Sequence, residues 1–173
     1  MKKLNVGCGK DIRRGWVNLD SRKVAGVDVV HDINKTPWPF KANEFDEVLC
    51  QDVLEHTRDV IAVMREIHRI LKPNGVVHIR VPHFTSANAY NDPTHSHFFA
   101  WNSFDYFQKS SPYHFYADFS FELVSRRLEF GKKLAIWNWI IQPIANLLPR
   151  FYEDTPMRVF PAMNLHFVLR KPA

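Results

Sequence analysis

The sequence predicts a single α/β domain built on a mostly parallel sheet. Three observations carry this. A short apolar strand, residues 4–6, runs straight into a glycine turn, Gly7-Cys8-Gly9. A second strand, residues 16–19, ends in Asp20. Further strand-like runs then alternate with one strongly amphipathic helix. Two glycines one residue apart let the backbone turn tightly and let a ligand approach main-chain N–H groups with no Cβ in the way. A strand, a glycine turn and a second strand ending in an acid form the skeleton of a nucleoside-binding α/β site.

The bulk numbers fit one soluble globular unit. The chain has 173 residues, 46% hydrophobic and 24% charged, enough for a sizeable core. The net charge of +5 is spread along the chain rather than gathered into a basic run, which argues against a nucleic-acid partner. Cys8 and Cys50 are the only cysteines. Each closes an apolar run, which suits reduced, buried thiols in a cytoplasmic protein. Lys2 and Lys3 lead into a short strand, so no signal peptide is expected. The longest apolar run, 134–148, is broken by Asn138, Gln142, Pro143 and Asn146 and falls short of a membrane span.

Taken in order, residues 10–14 have room for a turn or two of helix before Gly15. A crossover between parallel strands normally needs a dozen residues or more, so the first helix is expected to be truncated or replaced by a loop. Residues 27–33, with β-branched Val27, Val29, Val30 and Ile33, read as a third strand, and the two prolines of 35–40 exclude regular structure there. Residues 45–50 form a fourth strand with 52–56 as its exit loop. A helix over 58–71 places Val60, Ile61, Val63, Met64, Ile67, Ile70 and Leu71 on an apolar face, and Lys72-Pro73-Asn74-Gly75 stops it. Strands are expected at 76–82, 121–130 and 164–170. Short and apolar helices are expected at 101–108 and 134–148, the second kinked at Pro143, with a loop over 149–161.

The series Asn5-Val6-Gly7-Cys8-Gly9, Trp16 to Asp20, His31-Asp32-Ile33, Phe45-Asp46-Glu47-Val48 and Asp52-Val53-Leu54-Glu55-His56 resembles the small class I S-adenosylmethionine-dependent methyltransferases, the type 11 group. So does the helix ending Arg69-Ile70-Leu71-Lys72-Pro73-Asn74-Gly75-Val76. The resemblance implies a Rossmann-like seven-stranded sheet with an antiparallel last strand, and S-adenosylmethionine over the C-terminal ends of the first strands. Asn5, Gly7, Cys8, Gly9, Asp20, Asp32, Ile33, Gln51 and Asp52 then become cofactor residues. Gly7 and Gly9 lie under the methionine and ribose, Asp20 accepts from the ribose hydroxyls, Asp32 and Ile33 flank adenine, and Gln51 and Asp52 face the methionine end.

Two departures qualify the match. A third glycine is absent after Gly9, and Asp20 follows closely. Both also argue against a nicotinamide site, which wants G-x-G-x-x-G opening a full helix. Blander roles exist for several residues. Asp20 and Asp32 suit turn caps, and Glu55 and His56 suit the start of the following helix more than ligand contact.

The acceptor side is expected in residues 83–116, dense in His, Asn, Asp and aromatics. His95, Asp92 and His97 are candidates for a general base, and His83, Tyr90 and Trp101 for acceptor contacts. A weaker reading gathers His83, Asp92, His95 and His97 around a divalent metal, and a third makes them ordinary lid residues. The apolar helix 134–148, flanked by Lys132, Lys133 and Arg150, is expected to pack on the sheet, to form a homodimer interface or to touch a membrane peripherally. The function expected is methyl transfer to a small-molecule, saccharide or lipid-linked acceptor. A non-catalytic S-adenosylmethionine-binding protein and an RNA methyltransferase are the alternatives.

Overall fold

A computed structural model describes residues 1–131 and 135–173; the expectations placed on Lys132, Lys133 and Leu134 lie outside the described residues. The sheet has seven strands: β1 (Lys3–Val6), β2 (Val17–Asp20), β3 (Val29–Val30), β4 (Phe45–Gln51), β5 (Leu71–Pro82), β6 (Glu122–Phe130) and β7 (Ala162–Arg170). Their order is β3-β2-β1-β4-β5-β7-β6. The first five are parallel, and β7 runs antiparallel to both β5 and β6. The mostly parallel sheet with an antiparallel last strand is therefore as expected.

The helices differ from an ordinary doubly wound fold. Among the described residues, α1 (Val60–Ile70) is the only helix linking two parallel strands. The connections β1 to β2, β2 to β3 and β3 to β4 are loops, so the first helix is replaced rather than truncated. The third strand is also shorter than expected, since Asp28 and Asp32 turn their carboxylates onto nearby backbone N–H and side-chain amide groups. Two further helices, α3 (Ala135–Leu147) and α4 (Pro149–Asp154), fall between β6 and β7, and a four-residue α2 (Asn88–Asn91) lies between β5 and β6.

The strand registers show what the missing helices do to the sheet. Leu4, Val48, Val77 and Leu169 are in register across four strands, as are Val6, Cys50, Ile79 and Phe167. All are buried and form the face under α1 and the Phe104–Phe107 turn. The opposite face carries Lys3 and Glu47, then Asn5, Leu49, His78 and Val168, then Gln51, Arg80, His166 and Arg127. Most of its positions are polar, and among the described residues the connections between the first four strands are loops rather than covering helices. Lys3 and His78 both pair with Glu47, at 2.6 and 3.2 Å, and His166 and Asn164 share Glu129, at 2.7 and 3.0 Å.

Two asparagines on this face hold the loops that replace helices. Asn5 Nδ2 donates to the Asp11 carbonyl at 2.7 Å. Asn18 accepts from Arg13 N–H at 2.9 Å and donates back to the Arg13 carbonyl at 3.1 Å. Both asparagines are buried, at 3% exposure, so they supply partners to loop backbone that water cannot reach. Asn5 is thus engaged away from the expected cofactor contact.

The proline-rich segment 35–40 is fixed by one buried side chain. Trp38 is 2% exposed, and its Nε1 donates to the Ile33 carbonyl at 3.0 Å. Its backbone N–H donates to Glu66 on α1 at 2.7 Å, and Arg69 bridges Glu66 to the Trp38 and Phe40 carbonyls. Burial alone pushes the Glu66 carboxyl up, but the Arg69 guanidinium and the Trp38 N–H outweigh it and hold it below its ordinary range.

The apolar helix expected at 134–148 does not bury itself under the sheet. It lies along the free edge of β6. Asn146 exchanges two hydrogen bonds with the Leu128 backbone, at 2.8 and 3.0 Å, Gln142 accepts from Phe130 N–H at 3.1 Å, and Asn138 donates to the Gly131 carbonyl. Three amides spaced four residues apart thus stand in for a neighbouring strand, satisfying an edge that would otherwise invite pairing. Ile141 and Ala145 are buried beside them, while Ile136, Trp137, Trp139 and Ile140 face outward. The helix continues through Pro143. Among the described residues no helix is long and apolar enough to cross a membrane.

Replacing Asn18 with Ala removes partners from the backbone N–H and C=O of Arg13. The expected loss is about 1–3 kcal/mol, the cost of buried polar groups left unmet. Urea denaturation of the variant against the parent measures it.

Candidate functional site

Two cavities lie beyond the C-terminal ends of the parallel strands. The smaller is about 290 Å³ and is bounded by Gly7, Asp20, Asp32, Ile33, Val53 and His56, with Asp52 at one end. The larger is about 700 Å³ and includes Asp52, Glu55, His56, Asp92 and His95 in its wall. Asp52 and His56 belong to both, so the two spaces meet there.

The smaller cleft gathers five of the nine residues expected around the cofactor. Gly7 sits at φ +62°, and a Cβ there would come within 2.5 Å of Val53 Cγ2. The glycine therefore lets the turn pass close against the β4 exit loop. The Asp20 carboxylate accepts from Gly9 N–H at 2.8 Å and from Arg22 N–H at 2.9 Å. It caps the turn and faces the cleft at once. Asp32 accepts from the backbone and side chain of Asn34, at 3.0 and 3.1 Å, and those bonds hold its carboxyl below the usual range. Asp52 takes a left-handed conformation, φ +54°, uncommon for a residue with a side chain. It ends β4, and Arg80 pairs with it through two bonds, one of 3.0 Å from Nε.

The other four do not border the cleft. Asn5 holds the 11–13 loop. Cys8 is buried, and its N–H donates to the Leu19 carbonyl at 3.0 Å. Gly9 spends its N–H on Asp20. Gln51 is in register with Arg80 on the polar face, where Arg13 reaches it at 3.4 Å.

Of the acceptor candidates, the larger cavity takes Asp92 and His95. His97 turns away, its Nε2 bonded to the Thr57 carbonyl at 2.9 Å. His83 is fully buried. Its Nδ1 accepts from Thr85 N–H at 3.2 Å, leaving Nε2 to donate to Glu153 at 3.0 Å. Tyr90 is exposed and stacks on Phe98. Trp101 is buried beneath the Arg126 guanidinium. The four-residue metal set His83, Asp92, His95 and His97 is accordingly not brought together.

Glu55 and His56 are the residues that sequence reasoning passed over as helix starters. Both belong to a short 3-10 turn, Leu54–His56, and α1 begins later, capped by Asp59 accepting from Ala62 N–H at 3.0 Å. Glu55 is 1% exposed, and neither carboxylate oxygen has a hydrogen-bond partner. Burial pushes its carboxyl up to about 7. Burial and the neighbouring His95 hold the His56 imidazole below its ordinary value. The 92–97 segment is zipped onto this turn: Ser96 N–H donates to the Glu55 carbonyl at 2.8 Å, and Ser96 Oγ to the Thr57 carbonyl at 3.0 Å. The His56 and His95 rings meet edge to face, 4.5 Å between centroids. An acid directly before a His after the fourth strand was the available signal, and its helix-capping look hid it.

A methyltransferase-domain family model matches residues 8–79. Solved structures agree on the whole fold. An S-adenosylmethionine-dependent methyltransferase from Archaeoglobus fulgidus superposes with a TM-score of 0.69 at 15% identity, over 98% of this chain and 86% of that one. A Bacillus halodurans putative methyltransferase gives 0.61 at 15%, over 99% and 93%. The chain has the class I methyltransferase fold. The [4+2]-cyclase SpnF also shares it, with a TM-score of 0.64 at 16% identity, over 99% of this chain and 74% of that one. No curated protein matches. Domain match and methyltransferase fold together imply S-adenosylmethionine as the cofactor, and the acidic, glycine-floored cleft suits its adenosyl part.

The two turn glycines of this methyltransferase fold differ in their surroundings. Ala at Gly9 meets open space and costs only the left-handed backbone, about 1–2 kcal/mol. Ala at Gly7 adds the collision with Val53 and loses more. Thermal melting of the two variants is expected to rank Gly7→Ala below Gly9→Ala.

Proposed function

We propose that the protein transfers a methyl group from S-adenosylmethionine to a small polar acceptor bearing a hydroxyl or amine, such as a saccharide or lipid-linked precursor. The meeting of the smaller cleft with the larger polar cavity at Asp52 and His56 is the observation that carries this reading. The cofactor supplies an electrophilic methyl group on a sulfonium. Asp20 receives the ribose hydroxyls, since a carboxylate offers acceptors only and its backbone partners already hold it in place. Asp32 and Ile33 flank adenine, and Asp52 stands at the methionine end.

Most of the rate gain comes from holding the acceptor in line with the methyl carbon. The acceptor atom bonds to that carbon as the carbon–sulfur bond breaks, and the electron pair stays on sulfur. The acceptor proton passes to a basic group of the cavity wall, for which Asp92 and His95 are placed. The outward face of α3, with Trp137 and Trp139, is the surface open to a second copy or a membrane. A non-catalytic binding role is the second reading, since the same fold serves a cyclase in SpnF.

Calorimetry with S-adenosylmethionine and S-adenosylhomocysteine is expected to show one site, weakened at least tenfold in Asp20→Asn. No heat from either compound at millimolar concentration contradicts both readings. Transfer of labelled methyl to saccharide or lipid-linked pools, lost in His95→Ala while S-adenosylhomocysteine still binds, supports the enzyme over the binder.

A further inference from the structure

We propose that Glu55, His56 and His95 form a divalent-cation site where the two cavities meet. One ligand atom from each residue lies within 4.8 Å of the other two. Three features of these side chains favour a cation over an ordinary polar cluster.

The first is the orphan carboxylate. Glu55 is buried, lines the larger cavity, and leaves both oxygens without a partner. Native interiors satisfy such groups almost without exception, because burying an unpaired carboxylate is costly. A bound cation supplies what is missing.

The second is the way the two imidazoles are held. His95 Nδ1 lies 3.1 Å from the Ala89 carbonyl, an acceptor only, so that nitrogen carries the proton. His56 Nδ1 lies 2.8 Å from Thr94 Oγ1. Thr94 gives its hydroxyl proton to Asp92 at 2.7 Å, so it accepts from His56 as well. Both rings are thereby fixed as Nδ1–H tautomers, leaving each Nε2 with a free lone pair. Metal-binding histidines are oriented by an oxygen acceptor on the other ring nitrogen in this manner.

The third is position. Two imidazoles and one carboxylate leave open coordination places, the donor set suited to zinc, iron, manganese or cobalt. Ligands about 2.1 Å from a tetrahedral ion stand roughly 3.4 Å apart, so groups already within 4.8 Å of one another need close by at most about 1.4 Å to hold it. All three residues line the larger cavity, so an ion they held would border it. The role assigned here rests on the methyl-transfer reading: the cation holds the acceptor oxygen beside the methyl group and loosens its proton, which Asp92 then receives, His95 being occupied as a ligand. This set differs from the one expected from sequence and shares only His95 with it.

The full chain, stripped of metal by chelator and dialysed, is titrated with Zn²⁺, Mn²⁺ and Co²⁺ separately by calorimetry. One equivalent of at least one ion is expected to bind. Glu55→Gln and His95→Ala are each expected to lose binding at least tenfold, and Thr94→Val, which keeps all three ligands, to weaken it about 10–100-fold, as outer-shell changes do. Binding of S-adenosylhomocysteine and an unchanged melting temperature show that the variants are folded. Absence of stoichiometric binding by all three ions, or equal affinity in Glu55→Gln, overturns the site. Because the titration uses metal alone, its failure is separate from a failure to bind S-adenosylmethionine.

Discussion

A sheet packed by α1 on one face and closed mainly by loops on the other is the constraint on which this structure depends. The chain has too few residues between its early strands for crossover helices, so α1 and the aromatic turn beyond β5 cover one side and loops close the other. Everything on the open face follows from that. Its strand positions carry Lys3, Glu47, His78, Arg80, His166 and Arg127 where a doubly wound protein places apolar residues. Asn5 and Asn18 face the same way and give the helix-free loop a set of hydrogen bonds in place of a helix's own. At the far edge, α3 acts as a substitute strand through Asn138, Gln142 and Asn146 rather than as a covering layer.

The site inherits this economy. With no helix between β1 and β2, that connection offers the cleft no helix N-terminus, and the N–H of Gly9 is spent on Asp20. The cleft is therefore assembled from loops pinned at a distance. Trp38, Glu66 and Arg69 fix the segment that follows Asp32 and Ile33, coupling α1 to the nucleoside side of the cleft. Ser96 and His97 tie the 92–97 segment to the 55–57 turn and thereby set His95 against His56. The two cavities meet at Asp52, which holds a left-handed backbone conformation, as functional positions often do.

Much of the fold was legible because its signals are local. Gly7, Asp20, Asp32 and Ile33 lie at or just beyond the ends of β1, β2 and β3, positions that the resemblance to the methyltransferases implied and the order of the early strands sets side by side. The helix at 60–70 was legible from its apolar stripe and its Pro-Asn-Gly stop. What could not be read was partnership across the chain. Gln51 and Asp52 are neighbours, yet Gln51 ends β4 on the polar face while Asp52 leaves the strand with a left-handed backbone and borders the cleft. His83 and His97 look like His95 in sequence, but Glu153 and the Thr57 carbonyl, 70 and 40 residues away, claim them. Glu55 and His56 resembled a helix start because a 3-10 turn and an α-helix begin with the same residue types. The apolar run 134–148 was read for packing on the sheet, a dimer interface or membrane contact, and its three spaced amides, noted only as interruptions, were the better guide to its place along β6.

The most direct test of the account is a crystal structure with S-adenosylhomocysteine bound. It predicts ribose hydroxyls on Asp20, adenine between Asp32 and Ile33, and the sulfur directed to the opening between Asp52 and His56. A ligand seated on the open sheet face, or with its sulfur turned away from the Glu55, His56 and His95 cavity, contradicts it.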